Sequence, residues 1–142
     1  MYRKILVALD TTPSDQELLP RVTRLAILLK SELLLLHVAD GWAARNFDQL
    51  NLVESEEMKE DSRYLEETAA RLRAETALTI ETRLALGNPP TQILQVAGKE
   101  NCDLIALASH GHRLVGDILH GSTIDAVRHS ARVPLFVVPP RK

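Results

Sequence analysis

The chain has 142 residues, of which 45% are hydrophobic and 25% charged, and its formal net charge is −2. This length supports one domain with a substantial apolar core. The near-neutral charge gives no electrostatic attraction to nucleic acid or to an anionic membrane. The single cysteine, Cys102, excludes an internal disulfide and a multi-cysteine metal site. With no signal-peptide pattern and no apolar run of membrane length, we expect a cytoplasmic protein that is not embedded in a membrane.

The first part of the chain predicts two buried strands separated by a helix. Apolar runs at 5–9 and 33–38 have strand length, and the aromatic content of 4% suits an aliphatic parallel sheet covered on both faces. Between them, Ser14 and Glu17 have the capping-box spacing, which predicts a helix that begins at Ser14. Pro20 is expected to bend this helix or to delay its start.

The middle of the chain predicts a connection, a helix and a third strand. Residues 41–52 lack a pattern and are predicted to form an irregular connection. Apolar residues at helical spacing over 54–74 predict a long polar helix with one buried face. Alternation over 78–86 predicts a strand that is less buried than the first two, and Asn88, followed by two prolines, predicts the cap of the next helix.

The last part of the chain predicts a strand, a loop, a helix and a final strand. The strands are expected at 103–108 and 133–138, and the helix is expected to begin with Ser122 as its cap. The whole order alternates strand and helix, from a first strand to a fifth. Such alternation, with apolar strands, predicts an α/β fold in which helices cover both faces of an open parallel sheet.

Residues suited to binding an anion follow the first and fourth strands. In open α/β sheets, ligands bind beyond the carboxyl ends of strands where the strand order reverses. If these two strands are neighbours, Asp10 faces the loop that runs from Ala108 to Ser122. Gly111 and Gly121 let the backbone approach a phosphate, and Ser122 adds a hydroxyl and an amide at the positive end of a helix. Spacing alone is equally consistent with ordinary turn glycines.

Several segments resemble the universal stress protein family, and the resemblance covers essentially the whole chain. Ser109-His110-Gly111, nine further residues and Gly121-Ser122 resemble the signature of its nucleotide-binding branch, Gly-x2-Gly-x9-Gly-Ser/Thr. The opening Tyr2-Arg-Lys-Ile-Leu-Val-Ala-Leu-Asp10 resembles the first strand of the family. Leu-Leu-His-Val at 35–38 resembles the second strand, and Gly87-Asn-Pro resembles the entrance to the third helix.

The resemblance implies a single domain over residues 1–142 with a five-stranded sheet of order 3-2-1-4-5, Rossmann-like and similar to the adenine nucleotide alpha hydrolase fold. It implies that the ligand is ATP, or AMP or another adenine nucleotide, with Mg²⁺. The residues implied to contact the nucleotide are Ala8, Asp10, Val38, Leu107, Ala108, Gly111, Gly121, Ser122 and Thr123. By this resemblance, ribose would lie at Asp10, and adenine would lie near Val38 and near the backbone around Leu107. The phosphates would lie at the glycine loop and contact Thr123.

One residue departs from the family signature. Ala108 stands where the signature has its first glycine, and its methyl group lies where backbone passes near the ligand. The alanine is compatible with binding if its φ is negative, and it obstructs the ligand if the position needs a positive φ. This residue therefore supports the alternative of a family member without nucleotide.

Four histidines crowd the same region and raise the hypothesis of a zinc site. They are His110, His112, His120 and His129. Zinc sites in proteins combine histidine with cysteine or carboxylate ligands at suitable spacing, and no acidic or cysteine partner lies within this loop. We therefore favour histidines of a phosphate loop or of the surface over a metal site.

Two functional hypotheses follow. The first is an adenine-nucleotide-binding protein of the stress response that regulates an unidentified protein partner. Since no general base stands beside a nucleophile in the sequence pattern, at most slow ATP hydrolysis is expected. The alternative is a member without nucleotide that acts through protein contacts, for example on a membrane transporter. A phospho-acceptor receiver domain shares the alternation, but its acids are missing after strand three, which ends in Ala85-Leu86-Gly87.

The fifth strand predicts the mode of assembly. In a sheet of this order it forms an edge, and exposed strand edges need to be covered. Antiparallel pairing of 133–138 with the same strand of a second copy would bury mostly apolar residues at a two-fold axis. The resemblance implies the same arrangement, so a homodimer is expected.

Overall fold

The computed structural model describes the backbone of residues 1–40, 47–109 and 117–140, and their side chains except those of 40, 47–55 and 117–122. Strands and helices alternate along these residues, as predicted. The elements are β1 (Lys4–Ala8), α1 (Asp15–Leu29), β2 (Glu32–Asp40), α2 (Phe47–Glu75), β3 (Ile80–Gly87), α3 (Pro89–Lys99), β4 (Leu104–Ala108), α4 (Asp117–Ser130) and β5 (Leu135–Val138).

The strands form one parallel sheet of order β3-β2-β1-β4-β5, which confirms the predicted α/β fold and strand order. β1 is the central strand, and its Val7 lies opposite Leu35 of β2 and Ala106 of β4. Because consecutive strands are parallel, every connection must cross back over the sheet, and here each crossing carries a helix. β5 lies at one edge, as expected.

The core has two layers, one on each face of the sheet. On the first, which we call the α1/α2 face, residues of α1 and α2 pack on Ile5, Val7 and other strand residues of the same parity. On the second, the α3/α4 face, residues of α3 and α4 pack on Leu6 and its neighbours. Both faces of the central strands are buried, which explains why their sequences are continuously apolar rather than alternating.

Helix α1 begins within one residue of the prediction, but for a different reason. Ser14 has helical dihedral angles (φ −58°, ψ −29°) and makes no capping hydrogen bond with its side chain, so the predicted capping box does not form. Asp15, the first helical residue, uses its carboxylate for the preceding turn instead. Pro20 lies inside α1, and the helix continues past it to Leu29.

The predicted cap of α3 is confirmed, because the Asn88 side chain accepts a hydrogen bond from the Thr91 amide at 3.2 Å. The predicted starts of α2 and α4 are wrong. α2 begins at Phe47 rather than near residue 54, and α4 begins at Asp117 rather than at Ser122. In both cases the residues before the predicted start include apolar helix formers. They also include an aspartate, Asp48 or Asp117, which is favoured near the start of a helix, so each helix begins earlier in the chain.

Helix α2 is the longest element, with 29 residues. Leu65, Ala69 and Leu72 form its buried face, as the helical spacing predicts. Its remaining described side chains are mostly polar and solvent-facing. Among the described residues, no helix combines the length and the apolar character needed to cross a membrane.

Candidate functional site

The strand order reverses between β1 and β4, and in open α/β sheets a crevice lies beyond the carboxyl ends of the strands at this point. The two strands are neighbours, with Val7 opposite Ala106, and their following helices cover opposite faces. Asp10 follows β1 on one side of the crevice. Ser109 follows β4 on the other, where its amide donates to the Val138 carbonyl at 2.7 Å. This geometry confirms the predicted adjacency and is where open α/β sheets bind ligands.

Three of the candidate residues share one side of the sheet. Ala8, Val38 and Leu107 all pack on the α3/α4 face, the first two half-buried and Leu107 only 4% exposed. They lie near the carboxyl ends of β1, β2 and β4, in that order. They therefore form a partly buried apolar surface at the carboxyl ends of three adjacent strands.

Ala108 packs on the opposite side of the sheet, against the α1/α2 core. Among the described residues, only Thr11, Lys30 and Asn101 are non-glycine residues with positive φ, so Ala108 has the negative φ that alanine tolerates. Its methyl group therefore does not lie on the surface formed by Ala8, Val38 and Leu107. The alanine at this position is compatible with the backbone conformation.

Asp10 stabilises the turn that joins β1 to α1, which we call the β1–α1 turn (residues 9–14). Its Oδ1 accepts hydrogen bonds from the Thr12 amide at 3.0 Å and the Thr12 hydroxyl at 2.6 Å. Within the turn, Thr11 has the left-handed φ of 62° and donates its hydroxyl to the Asp10 carbonyl at 2.6 Å. A carboxylate accepts about four hydrogen bonds, so stabilising the turn is compatible with binding ribose hydroxyls.

A second carboxylate lies beneath the β1–α1 turn. Asp15 is 1% exposed and accepts three hydrogen bonds: from the Asp10 amide at 3.1 Å, the Thr11 amide at 3.0 Å and the Tyr64 hydroxyl at 2.7 Å. Burial, opposed by the Tyr64 hydrogen bond and reinforced by the Asp10 charge, raises the pKa of Asp15 to about 6. Burial also raises the pKa of Tyr64.

A histidine links the end of β1 to α2. Because a carbonyl oxygen only accepts, His37 Nδ1 carries a proton and donates it to the Leu9 carbonyl at 2.9 Å. The other ring nitrogen, Nε2, lies 3.5 Å from Oδ2 of Asp61 on α2. Burial raises the pKa of the Asp61 carboxyl, and the charge of His37 opposes that shift.

The candidate phosphate-binding residues are only partly described. Gly111 lies outside the described residues. Gly121 and Ser122 lie inside α4, beyond its first turn, so Ser122 is not the cap of that helix. In a helix that begins at Asp117, amides from Gly121 onward belong to internal hydrogen-bonded turns. Thr123 is half-buried in the same helix.

The family model described as Universal stress protein family matches residues 1–139. The chain belongs to the universal stress protein family. Universal stress protein MJ0577 of Methanocaldococcus jannaschii is 26% identical, with 97% of this chain and 95% of that protein covered. The structure of MJ0577 has a TM-score of 0.85 to this one, with 100% of this chain and 99% of that chain covered.

Two further solved structures of the universal stress protein family carry nucleotides. One is a universal stress protein in complex with cAMP, 20% identical, with a TM-score of 0.70 and 97% of each chain covered. The other is the Archaeoglobus fulgidus universal stress protein in complex with dAMP, 21% identical, with a TM-score of 0.71, covering 96% of this chain and 98% of that chain. At these identities the likeness establishes a shared fold.

Metal-ligating residues of this universal stress protein do not cluster within the part of the chain that the structure describes, where no group of three or more could hold an ion. Of the four histidines behind the zinc hypothesis, only His129 has a described side chain, and it is exposed on α4. His110, His112 and His120 lie outside the described side chains.

Sequence reasoning missed Asp15, His37, Asp61 and Tyr64 as residues of the site. Asp15 and Tyr64 are 49 positions apart, and His37 and Asp61 lie on a strand and a helix with no common motif. No short sequence pattern predicts contacts between residues this far apart in the chain. The only signal in the sequence is the pair Asp61 and Tyr64, which helical spacing places on one side of α2.

Proposed function

We propose that this universal stress protein binds an adenine nucleotide, with ATP as the principal candidate, in the crevice between the ends of β1 and β4. The observation that carries the proposal is the reversal of strand order there, with Asp10 beside the apolar surface of Ala8, Val38 and Leu107. The complexes of relatives with cAMP and dAMP support it, because both are universal stress proteins with the same fold.

In the proposed complex, Asp10 accepts hydrogen bonds from the ribose hydroxyls, and adenine lies on Val38 with its edge toward the backbone around Leu107. The phosphates, with Mg²⁺, are held by the backbone of Gly111, Gly121 and Ser122. Since α4 begins at Asp117, amides beyond its first turn become available only if that turn opens. Thr123 contributes a further contact on the phosphate side.

The role proposed for the nucleotide is regulatory. A nucleotide that binds one conformation more tightly shifts the population toward it and so changes the affinity for a protein partner. No catalytic residue is assigned, and any ATP hydrolysis is expected to be slow. The alternative of a member without nucleotide rests on Ala108, whose negative φ is the conformation in which alanine is compatible with binding.

Assembly through β5 is part of the proposal. β5 is an edge strand, and Val137 on it is 42% exposed although it is apolar. Antiparallel pairing with a second copy would cover both the strand edge and this side chain. We expect light scattering at micromolar concentration to give the mass of a dimer, and a monomer would contradict this part of the proposal.

Thermal unfolding with and without nucleotide tests the binding proposal. Millimolar ATP with Mg²⁺ should raise the melting temperature, since a ligand at a hundred times its Kd stabilises by about 2.7 kcal/mol. The variant Gly121→Val should lose this effect. Gly98→Val is the matched control: it also places valine at a helical glycine, and an added Cβ there meets no atom within 4 Å.

Mass spectrometry of small molecules released from freshly purified protein provides an independent check. We expect an adenine nucleotide in the wild type and in Gly98→Val, and none in Gly121→Val. Equal melting temperatures with and without ATP, together with no released nucleotide from the wild type, would overturn the proposal. A response that Gly121→Val retains would instead exclude the assigned phosphate site.

A further inference from the structure

Two side chains of α2 are connected to the β1–α1 turn, each through one intermediate residue. The first connection starts at Tyr64, whose hydroxyl donates to Oδ2 of Asp15 at 2.7 Å. The same carboxylate accepts from the amides of Asp10 and Thr11 at 3.1 and 3.0 Å. Tyr64 is thus one hydrogen-bonded residue away from the backbone that carries the Asp10 side chain.

The second connection starts one helical turn earlier, at Asp61. Its carboxylate lies 3.5 Å from Nε2 of His37, whose Nδ1 donates to the Leu9 carbonyl at 2.9 Å. Asp61 and Tyr64 are three residues apart, so they lie on the same side of α2. Together the two connections hold both sides of the backbone at residues 9–11: one through a carbonyl and the other through two amides.

The backbone held in this way is strained. Thr11 has a φ of 62°, a conformation that costs a residue with a Cβ atom about 1–2 kcal/mol. Such a conformation persists only where surrounding contacts determine it. The amides that Asp15 binds are those of Thr11 itself and of the residue before it. The contacts from α2 are therefore placed at the point where the turn would otherwise relax.

None of the four side chains belongs to the proposed nucleotide surface. Tyr64 packs against the core of the α1/α2 face, whereas Ala8, Val38 and Leu107 lie on the α3/α4 face. The hydrogen bonds of Tyr64 therefore link it to the proposed site through the β1–α1 turn. This separation makes the residue a positioning residue rather than a contact.

We propose that Asp61 and Tyr64, acting through His37 and Asp15, hold residues 9–11 in the conformation that positions Asp10 for the nucleotide, so that α2 and the nucleotide site control one another. The inference rests on the proposed function, because it takes Asp10 as a nucleotide contact. Coupling free energies are reciprocal. If α2 sets the affinity for the nucleotide, nucleotide binding must in turn change the hydrogen bonding of α2 at Tyr64.

The Asp15 carboxylate supplies acceptors to two amides of the β1–α1 turn, which an apolar residue would leave unsatisfied. Here a carboxylate that is 1% exposed is kept beside a second carboxylate, Asp10. Buried acids whose environment disfavours their charge occur preferentially at functional sites. The position of Asp15 directly under the turn is consistent with a role in setting the geometry of Asp10.

The first test compares the variants Tyr64→Phe and Tyr2→Phe. The chain has two tyrosines, and Tyr2 precedes β1 at the opposite edge of the sheet, so it provides a matched control. Losing one hydrogen bond to a charged group should raise the Kd for ATP with Mg²⁺ about 3- to 10-fold in Tyr64→Phe, with no change in Tyr2→Phe. Asp61→Asn tests the second connection and should weaken binding in the same direction.

A spectroscopic measurement separates positioning from general stabilisation. In protein labelled with 3-fluorotyrosine, the two ¹⁹F resonances are assigned with the same two variants. Addition of ATP and Mg²⁺ should shift the Tyr64 resonance and leave that of Tyr2 unchanged. Hydrogen exchange without nucleotide should show faster exchange at the Asp10 and Thr11 amides in Tyr64→Phe only.

The outcomes distinguish the two proposals. If the wild type binds nucleotide but Tyr64→Phe binds it equally well and the Tyr64 resonance does not move, the coupling is overturned and the proposed function stands. If the wild type binds no nucleotide, the proposed function is overturned, and so is the proposed coupling between α2 and the nucleotide site. Unchanged exchange at Asp10 and Thr11 in Tyr64→Phe would refute the positioning role whether or not nucleotide binds.

Discussion

The two ends of the central strand β1 are built on opposite electrostatic principles. At the amino end, opposite charges alternate: Lys4 Nζ lies 3.0 Å from Glu81 and 3.4 Å from Glu100. At the carboxyl end, the acids Asp10 and Asp15 adjoin each other, and the buried Asp15 accepts hydrogen bonds from two amides and a hydroxyl. The amino end of β1 thus carries paired opposite charges, and its carboxyl end carries two adjacent acids.

Folding shifts the pKa values of the charged groups in opposite senses at the two ends of β1. A hydrogen bond to Glu81 raises the pKa of Lys4, and hydrogen bonding to Arg83 lowers the pKa of Glu100, so at the amino end folding favours the charged forms. At the carboxyl end, burial raises the pKa of Asp15 to about 6, so folding disfavours the charged form. At neutral pH the amino end therefore adds to the free energy of unfolding. The carboxyl end, where a ligand is proposed to bind, lowers it.

The largest predicted effect is at the acidic end and depends on pH. The unfolded chain releases the Asp15 proton near pH 3.8, whereas the folded protein keeps it to about pH 6. Between these values the folded state binds more protons, so the stability that Asp15 contributes is complete below the lower pKa and falls as pH rises. From pH 4 to 7 the wild type should lose about 2 kcal/mol of unfolding free energy relative to Asp15→Asn.

Urea unfolding of both proteins across this pH range measures the difference. The hydrogen bonds that asparagine fails to reproduce shift the stability of the variant by an amount that does not depend on pH. The slope of the difference therefore reports the titration of Asp15 together with its interaction with the neighbouring Asp10 carboxylate. Parallel stability curves would mean that burial does not disfavour the charge of Asp15, and the contrast between the two ends would disappear.

The next effect is at the charge-paired end. The Asp103 carboxylate accepts from the backbone amides of Arg3 and Lys4 at 2.9 and 3.0 Å, and so fixes the start of β1 beside that of β4. Asp103→Ala should lower the unfolding free energy by about 1–2 kcal/mol, since hydrogen bonds to charged groups are lost and the Lys4 amide is partly buried. Nucleotide affinity should stay the same, because the change is at the edge opposite the proposed site.

Denaturant unfolding with parallel nucleotide titration checks this prediction. Asp103→Asn keeps one acceptor oxygen and should recover part of the lost stability. A variant that unfolds like the wild type would show that the amino end adds no stability. A loss of nucleotide affinity in Asp103→Ala would show that the two ends of β1 are not independent.

The fold follows from the sequence because its main determinants are local in the chain. Each strand lies within two residues of its predicted bounds, since burial on both faces leaves a continuous apolar run. α2 and α4 begin earlier than predicted because the helix propensity of the preceding residues outweighs polar signals such as Gly121-Ser122. Glycine inside a helix costs only about 1 kcal/mol.

The candidate site was predictable only where it follows strand ends. The positions of Ala8, Asp10, Leu107 and Ala108 come directly from the order of the strands, because parallel strands end at the same edge. The contacts beneath Asp10 depend on how α2 packs, and side chains as distant as Asp15 and Tyr64 meet only in the folded chain. Local patterns therefore locate the site without revealing what holds it in shape.

The smallest predicted effect compares the turns at the two ends of α1. Lys30 caps the carboxyl end of α1, near the amino ends of the strands, with a φ of 57°. The Ser31 amide donates to the Ala26 carbonyl at 2.9 Å, and a cap of this kind favours glycine at the position of Lys30. Lys30→Gly should raise the unfolding free energy by about 1 kcal/mol and leave nucleotide binding unchanged. Thr11 has nearly the same φ near the carboxyl end of β1, yet its hydroxyl donates to the Asp10 carbonyl.

Thr11→Gly relieves the same strain and loses that hydrogen bond, so it should gain less stability than Lys30→Gly. It also removes the restriction on the backbone beside Asp10, and a turn that samples more conformations binds more weakly because only part of the population is competent. Nucleotide titration of both variants measures this difference. Equal affinities would mean that the conformation of the β1–α1 turn does not limit binding, and the strain at Thr11 would then have the same structural role as the strain at Lys30.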